Sequence, residues 1–194
     1  MVEFRPWPKT PRLFADAGCI VTEKIDGTNG CIIVTDDGEV YAASRKRLLP
    51  MGPRGLDDTT WEKDDNHGFA AWVRTHREIL KEILGPGHHY GEWWGNGINR
   101  GYGLQKGDRR FSLFNTERWR DLDVEELPEL KPVPILFEGS FSTNIIGWVL
   151  EDLFRDGSRA APGFSRPEGV CVYHKAAAQI FKVPIDKDDY GLAA

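Results

Sequence analysis

The sequence predicts an α+β fold, a sheet-rich core with helices packed on it. Three observations lead there. Short β-branched, apolar runs such as Cys19-Ile20-Val21-Thr22 and Cys31-Ile32-Ile33-Val34-Thr35 recur along the chain. Turn residues, chiefly Gly, Asp and Pro, separate them. Two stretches carry apolar residues at helical spacing.

In order, residues 18–25 and 29–35 read as a first pair of strands around Asp26-Gly27. Asp36-Asp37-Gly38 reads as a turn and 39–44 as a third strand. Residues 45–63, rich in Gly, Pro, Asp and Arg, read as a long mobile loop of the kind that is usually functional or disordered. The spacing of Phe69, Trp72, Val73, His76, Ile79, Leu80 and Ile83 predicts a helix over 64–84, stopped by Gly85-Pro86-Gly87. Residues 88–94 and 110–116 read as strands around a Gly-rich connection, and 133–141 as another strand. A second helix over 143–154 places Ile145, Ile146, Val149, Leu150 and Leu153 on one face behind a Ser/Thr cap. Residues 168–174 and 178–183 close the chain as a hairpin. The first and last strand pairs can be neighbours only in the fold.

At 194 residues, with no Ser/Gly-rich or Pro-rich linker, the chain reads as one domain over 1–194. Apolar residues at 40% and charged residues at 28% are ordinary for a soluble globular protein. No apolar run is long enough to span a membrane, and Met1 to Pro8 carry no signal-peptide core, so cytoplasmic location is the default expectation. Cys19, Cys31 and Cys171 are far apart in strand-like segments, which suits buried reduced thiols. The five histidines lack zinc spacing, and adjacent His88 and His89 would point to opposite faces of a strand. A net charge of −5 argues against a general polyanion binder. Local cationic clusters remain, at Arg45-Lys46-Arg47 and at Lys106 with Arg109-Arg110.

The densest signal is Glu23-Lys24-Ile25-Asp26-Gly27-Thr28-Asn29. A lysine held at a rim between strands is a candidate amine nucleophile. Asp-Gly with a flanking Lys is equally what a β-hairpin turn looks like. Other strands end in charged groups that a core does not need: Arg45, Glu92, Glu138, Glu168 and Lys182. Buried carboxylates are costly unless paired or metal-bound. Several beside a candidate nucleophile favour a site for cations and phosphate.

The order Lys-x-Asp-Gly-x-Asn, Ser44-Arg45, Tyr90-Gly91-Glu92, Phe111-Ser112-Leu113-Phe114, Glu168-Gly169-Val170-x-Val172 and Phe181-Lys182-Val183 resembles the covalent nucleotidyltransferases, the superfamily of polynucleotide ligases and mRNA capping enzymes. The Lys24 and Glu92 segments are most similar to RNA ligases, especially the double-strand-type enzymes of phages. The resemblance covers residues 18 to 183. It implies an ATP-grasp-like ligase catalytic domain of twisted antiparallel sheets flanked by helices. It implies attack of Lys24 on the α-phosphorus of ATP to give lysyl-AMP. It further implies adenine contact by the Glu23 backbone, metal and sugar positioning by Asp26, and ribose or phosphate binding by Arg45. Glu92 would accept from the ribose hydroxyls, Phe111 would stack on adenine, and Glu168 would hold Mg²⁺ or Mn²⁺ or its water. Lys182 would meet the α-phosphate, and Asn29 would position the nick ends in a later step. Phe114 is the second candidate for the adenine platform, whereas Trp93, Trp94 and Glu138 read as structural.

Two departures qualify the resemblance. The last motif usually has two lysines separated by one residue, but Val183 and Pro184 follow Lys182. The second phosphate contact would have to come from elsewhere, such as Lys175 or Lys187. The chain also ends eleven residues after Val183, which leaves no room for an OB or helical C-terminal domain. Grip on RNA ends would then come from residues 45–54 and from Arg100 to Arg110, or from a partner protein. The expectation is an ATP-dependent RNA ligase of a phage-infected or bacterial cytoplasm, acting in RNA repair. The alternatives are a GTP-dependent capping-type or DNA ligase nucleotidyltransferase, or a non-catalytic domain that binds nucleotide or RNA ends.

Overall fold

The protein was analysed as a computed structural model, which describes residues 18–52 and 61–185. It is α+β, with two sheets. The strands are β1 (Gly18–Lys24), β2 (Thr28–Val34), β3 (Val40–Ser44), β4 (Gly87–Gly95), β5 (Arg109–Leu113), β6 (Leu130–Pro132), β7 (Ile135–Ser140), β8 (Gly169–His174) and β9 (Gln179–Pro184). One sheet has the order β7-β1-β8-β9 and the other β3-β2-β4-β5-β6. All pairings are antiparallel except β5 with β6.

The sheets divide the apolar residues by strand parity. Ile32, Trp93, Phe111 and Leu113 point from the five-stranded sheet onto helices α1 (Phe69–Thr75) and α2 (Arg77–Leu84), whose Phe69, Val73, Leu80 and Leu84 are buried there. Cys19, Val21, Val170 and Val172 of the four-stranded sheet pack on Ile146 and Leu153 of α4 (Thr143–Asp156). The helices therefore cover the outer faces, and the inner faces of the two sheets front a cleft.

Three expectations change. Residues 18–25 and 29–35 are not a paired hairpin: β1 and β2 belong to different sheets, and the chain crosses between them over Ile25 to Gly27. Gly27 permits the crossing, because a Cβ there would collide with the Trp93 carbonyl oxygen and lie 2.8 Å from the Trp94 Cβ. The helix expected over 64–84 is two helices. Its start is set by left-handed Gly68 (φ 77°) and by the Asp65 carboxylate, which accepts from the Ala70 and Ala71 amides at 2.8 and 3.0 Å. His76 (φ −104°, ψ 18°) breaks it, with its Nδ1 2.9 Å from the Trp72 carbonyl oxygen that its own amide also meets. The strand expected over 110–116 ends at Leu113, where the chain turns into the short α3 (Thr116–Trp119) capped by Asn115. β6 and its parallel pairing carry no sequence signal beyond three residues among prolines. Part of the expected 45–63 loop, and Lys187, lie outside the described residues.

Gly27→Ala should lower stability by about 1–3 kcal/mol, the usual cost of forcing atoms into a packed site. Urea denaturation of the two chains measures it; an unchanged midpoint would show that the crossing has room to spare.

Candidate active site

Strand register assembles the site. Lys24, the last residue of β1, is paired with Gly169, the first residue of β8, so Glu168 arrives beside it. The Lys24 ammonium donates to the Glu168 carboxylate at 2.6 Å, and each side chain is about one-fifth exposed, at 22% and 21%. Lys182 of β9 is opposite Cys171 of β8 and faces the same cleft. In the other sheet, Asn29 is paired with Glu92 and Gly30 with Ser44, which brings Arg45 alongside Asn29. Lys24, Asn29, Arg45, Glu92, Phe114, Cys171 and Lys182 all line one cavity of ≈ 580 Å³ between the sheets. Arg45 makes no hydrogen bond or ion pair with the described residues, so its charge is available to a ligand.

The turn after Lys24 is held by Asn99 and Tyr102, which the sequence did not single out, and by Arg100, which it offered only as part of a grip on RNA ends. The Asp26 carboxylate accepts from Asn99 Nδ2 at 2.9 Å and from Arg100 Nε at 3.1 Å. The Asp26 amide donates to the Tyr102 hydroxyl at 2.8 Å. Arg100 also donates to the Arg166 carbonyl at 2.9 Å, tying this turn to the approach to Glu168. Both Asp26 carboxylate oxygens carry a protein donor, so the side chain holds the turn in this structure. Asn99, Arg100 and Tyr102 all lie in a Gly-rich connection, where the sequence named Arg100 for RNA; its guanidinium is instead engaged by Asp26 and the Arg166 carbonyl.

Glu23 faces away from Lys24, as strand alternation requires. Its carboxylate, 1% exposed, accepts from Ser158 Oγ at 2.6 Å and from the Arg159 and Ala160 amides at 2.8 and 2.9 Å. Burial raises its pKa, and these three donors oppose the rise. The side chain is therefore an anchor for the segment after α4, which leaves only the Glu23 backbone for a nucleobase.

The adenine platform expected at Phe111 is also corrected. Phe111 is fully buried, 5.0 Å centroid to centroid from Phe69 and within the helix-covered core. Phe114 is 40% exposed and lines the cavity. The signal was present in the strand pattern: apolar Phe111 and Leu113 alternate with Arg110 and Ser112, which puts Phe114 in phase with the polar, cleft-facing side.

The other basic candidates are mostly engaged. Arg109 donates to the His67 and Asn96 carbonyls, and Arg110 donates to Ala160 O and Asp108 while stacking on Trp94. Lys175 is paired with Glu138 at 2.9 Å in the β8–β9 turn, so it is not a second phosphate lysine. Trp93 and Trp94 are each 2% exposed and serve as packing.

For a divalent metal, Glu168 is the carboxylate placed beside Lys24. Among the described residues no group of three or more His, Cys, Asp or Glu is arranged to hold an ion. One carboxylate beside an open cavity suits an ion shared between protein and substrate phosphates, the usual mode for Mg²⁺, and does not suit an all-protein cage.

Glu92 is the electrostatic outlier. Its carboxylate accepts from the Gly27 amide and from Asn29 Nδ2, both at 3.1 Å. Burial nevertheless pushes its pKa up to about 7, aided by nearby Glu168 and Asp26 and opposed by the Gly27 amide and Lys24. A carboxyl whose pKa is higher folded than unfolded stabilises the fold fully below its unfolded value. That contribution is lost as pH rises from about 4.5 through 7. Glu92→Gln should flatten stability across that window and add on the order of 2 kcal/mol above it. Urea titrations at a series of pH values check this; an unchanged slope would refute it.

No helix among the described residues is long and apolar enough to cross a membrane. No curated protein sequence matches the chain. The folds of solved RNA ligases do. A Naegleria gruberi RNA ligase mutant with AMP and Mn superposes with a TM-score of 0.59 at 19% identity, over 91% of this chain and 52% of that one. Another mutant of that ligase, with ATP and Mn, gives a TM-score of 0.56 at 16% identity over the same shares, 91% and 52%. This chain thus spans about half the length of the structures it matches, and at these identities the likeness is one of fold. The family described as RNA ligase matches residues 18–184, from the first residue of β1 to the last of β9, and so takes in every element that builds the cleft; the chain belongs to the RNA ligase family.

Proposed function

We propose that the chain is the nucleotidyltransferase part of an ATP-dependent RNA ligase that joins 3′-hydroxyl and 5′-phosphate ends. The observation that supports this most is the Lys24–Glu168 pair at 2.6 Å on a ≈ 580 Å³ cavity that Arg45, Glu92, Phe114 and Lys182 also line. In this reading Lys24 Nζ attacks the α-phosphorus of ATP. A nitrogen–phosphorus bond forms and the bond to pyrophosphate breaks. Attack needs the neutral amine, and a free lysine is charged at neutral pH. Glu168 is the group within hydrogen-bonding reach of that proton. The AMP then passes to the 5′-phosphate of an RNA end, and attack by the 3′-hydroxyl expels it.

The residues divide the work. Arg45 and Lys182 neutralise and align the phosphates from opposite sheets, the term that dominates phosphoryl-transfer catalysis. Glu92 accepts from the ribose hydroxyls once ionised. Phe114 offers its ring face to adenine. Asn29, held on Glu92, orients the RNA ends in the sealing step. A divalent cation at Glu168, which the solved relatives with Mn make reasonable, would supply charge for the α-phosphate.

Incubation with α-labelled ATP and Mg²⁺ or Mn²⁺ should label the chain, and Lys24→Ala should remove the label. No label on the unaltered chain, or equal label on Lys24→Ala, would sink the reading, and competition by GTP and sealing of DNA against RNA nicks separate the related activities. The two phenylalanines should part in opposite ways. Phe114→Ala should weaken ATP use about tenfold in KM with little change in melting, from a stacking contact of about 1–3 kcal/mol. Phe111→Ala should cost about 3–5 kcal/mol of stability, as for a large core side chain. Steady-state labelling and thermal melting of both variants decide between the platforms.

A further inference from the structure

The cleft does not end at the nucleotide cavity. Phe114, Tyr173 and Ile180 are shared with a second cavity of ≈ 360 Å³, which His88 and Tyr90 of β4 continue. Register puts these on the inner faces: His88 and Tyr90 are in phase with Glu92 on β4, and Ile180 is in phase with Lys182 on β9. They are unusually open for apolar and aromatic groups, with Tyr90 59%, Ile180 62% and Phe114 40% exposed. The His88 and Tyr90 rings lie near-parallel, 6.2 Å apart with an interplanar angle of 21°, and so present flat faces. The Tyr90 hydroxyl has no hydrogen-bond partner among the described residues.

On the other side of the nucleotide cavity the chemistry is opposite. A cavity of ≈ 460 Å³ shares Asn29, Arg45 and Glu92 with it and is rimmed by Lys46 and Arg47. The site therefore opens in two directions, one lined mainly by aromatic and apolar groups, with Glu117 and Arg118 also on its wall, and one cationic. That pairing matches a nucleic-acid strand, whose bases stack on aromatic faces while its phosphates follow positive charge. An apolar peptide would need no such cationic rim.

We propose that the strip beyond Phe114, from Tyr90 through Tyr173 to Ile180, is a stacking platform for unpaired nucleotides next to the RNA end held in the cleft. The inference rests on reading the cleft as the site of RNA end joining. Tyr90 is its outermost ring and takes no part in the ATP chemistry, so it can be altered separately.

The test is fluorescence anisotropy of the chain with a labelled single-stranded RNA carrying a 5′-phosphate, and with a fully paired nicked duplex. Tyr90→Ala should weaken binding of the single strand about fivefold or more, the lower end expected for one stacked base. Tyr90→Phe, which keeps the ring, should restore it, and labelling of Lys24 by ATP should be unchanged in both. The proposal is overturned if Tyr90→Ala binds the single strand as the unaltered chain does, or if that chain binds none. It is also overturned if the paired duplex loses as much, or if the unaltered chain forms a dimer that Tyr90→Ala dissolves. Failure of Lys24 labelling in the unaltered chain would instead overturn the reading of the cleft, and the anisotropy comparison reports on the platform without it.

Discussion

The step of the chain from one sheet to the other, over Ile25 to Gly27, is the constraint on which the rest depends. It ends β1 at Lys24 and starts β2 at Thr28, in sheets that share no strand pairing. The crossing is possible because Gly27 lies against the backbone of β4 where any side chain would collide. It is kept in place by Asn99, Arg100 and Tyr102, which satisfy the polar groups of Asp26. Without this close approach the sheets would have no cleft between them, and Lys24 would be an ordinary strand end in water.

Charge is organised at the same scale. A chain of net charge −5 still builds a cationic pocket, because its acids are committed elsewhere. Glu23 is buried under three donors, Asp26 is clamped, and Glu138 is held by Arg120 and Lys175. Arg45 and Lys182 are left facing the cavity from opposite sheets. Glu168, paired with Lys24, and Glu92 are the exceptions, and Glu92 is a largely buried carboxyl on the cavity wall whose pKa is pushed up to about 7. Its elevated pKa follows first from burial, which its two donors only partly offset, with a smaller push from Glu168 and Asp26.

Much of this was legible in the sequence, and the failures have physical reasons. Strand runs and motif order singled out Lys24, Arg45, Glu92, Glu168 and Lys182, which the fold brings around one cleft, because strand ends are where charged side chains break an apolar pattern. Phe111 was misassigned although its alternation with Arg110 and Ser112 already pointed it to the core. The hairpin at Asp26-Gly27 could not be told from a crossing, since both need the same small residues and differ only in partners far away along the chain. The break at His76 was hidden because the apolar spacing runs on through it; only the local backbone shows the two helices. Asn99, Tyr102 and Ser158 were silent because hydrogen-bonding residues in loops have no periodicity to betray them, and for the same reason Arg100 was read only as a surface charge.

The pairing of β1 with β8 has a further consequence. Lys24 and Glu168 meet only if Val21 lies opposite Val172 and Thr22 opposite Cys171. A slip by one residue would turn every β8 side chain to the wrong face, burying Tyr173 beneath α4 and pushing Val172 into the cleft. The apolar pattern that selects the register thus doubles as an error check on the chemistry. A molecule that has packed its core against α4 has, by that fact, aligned its amine with its carboxylate. A misregistered molecule would hold the two apart.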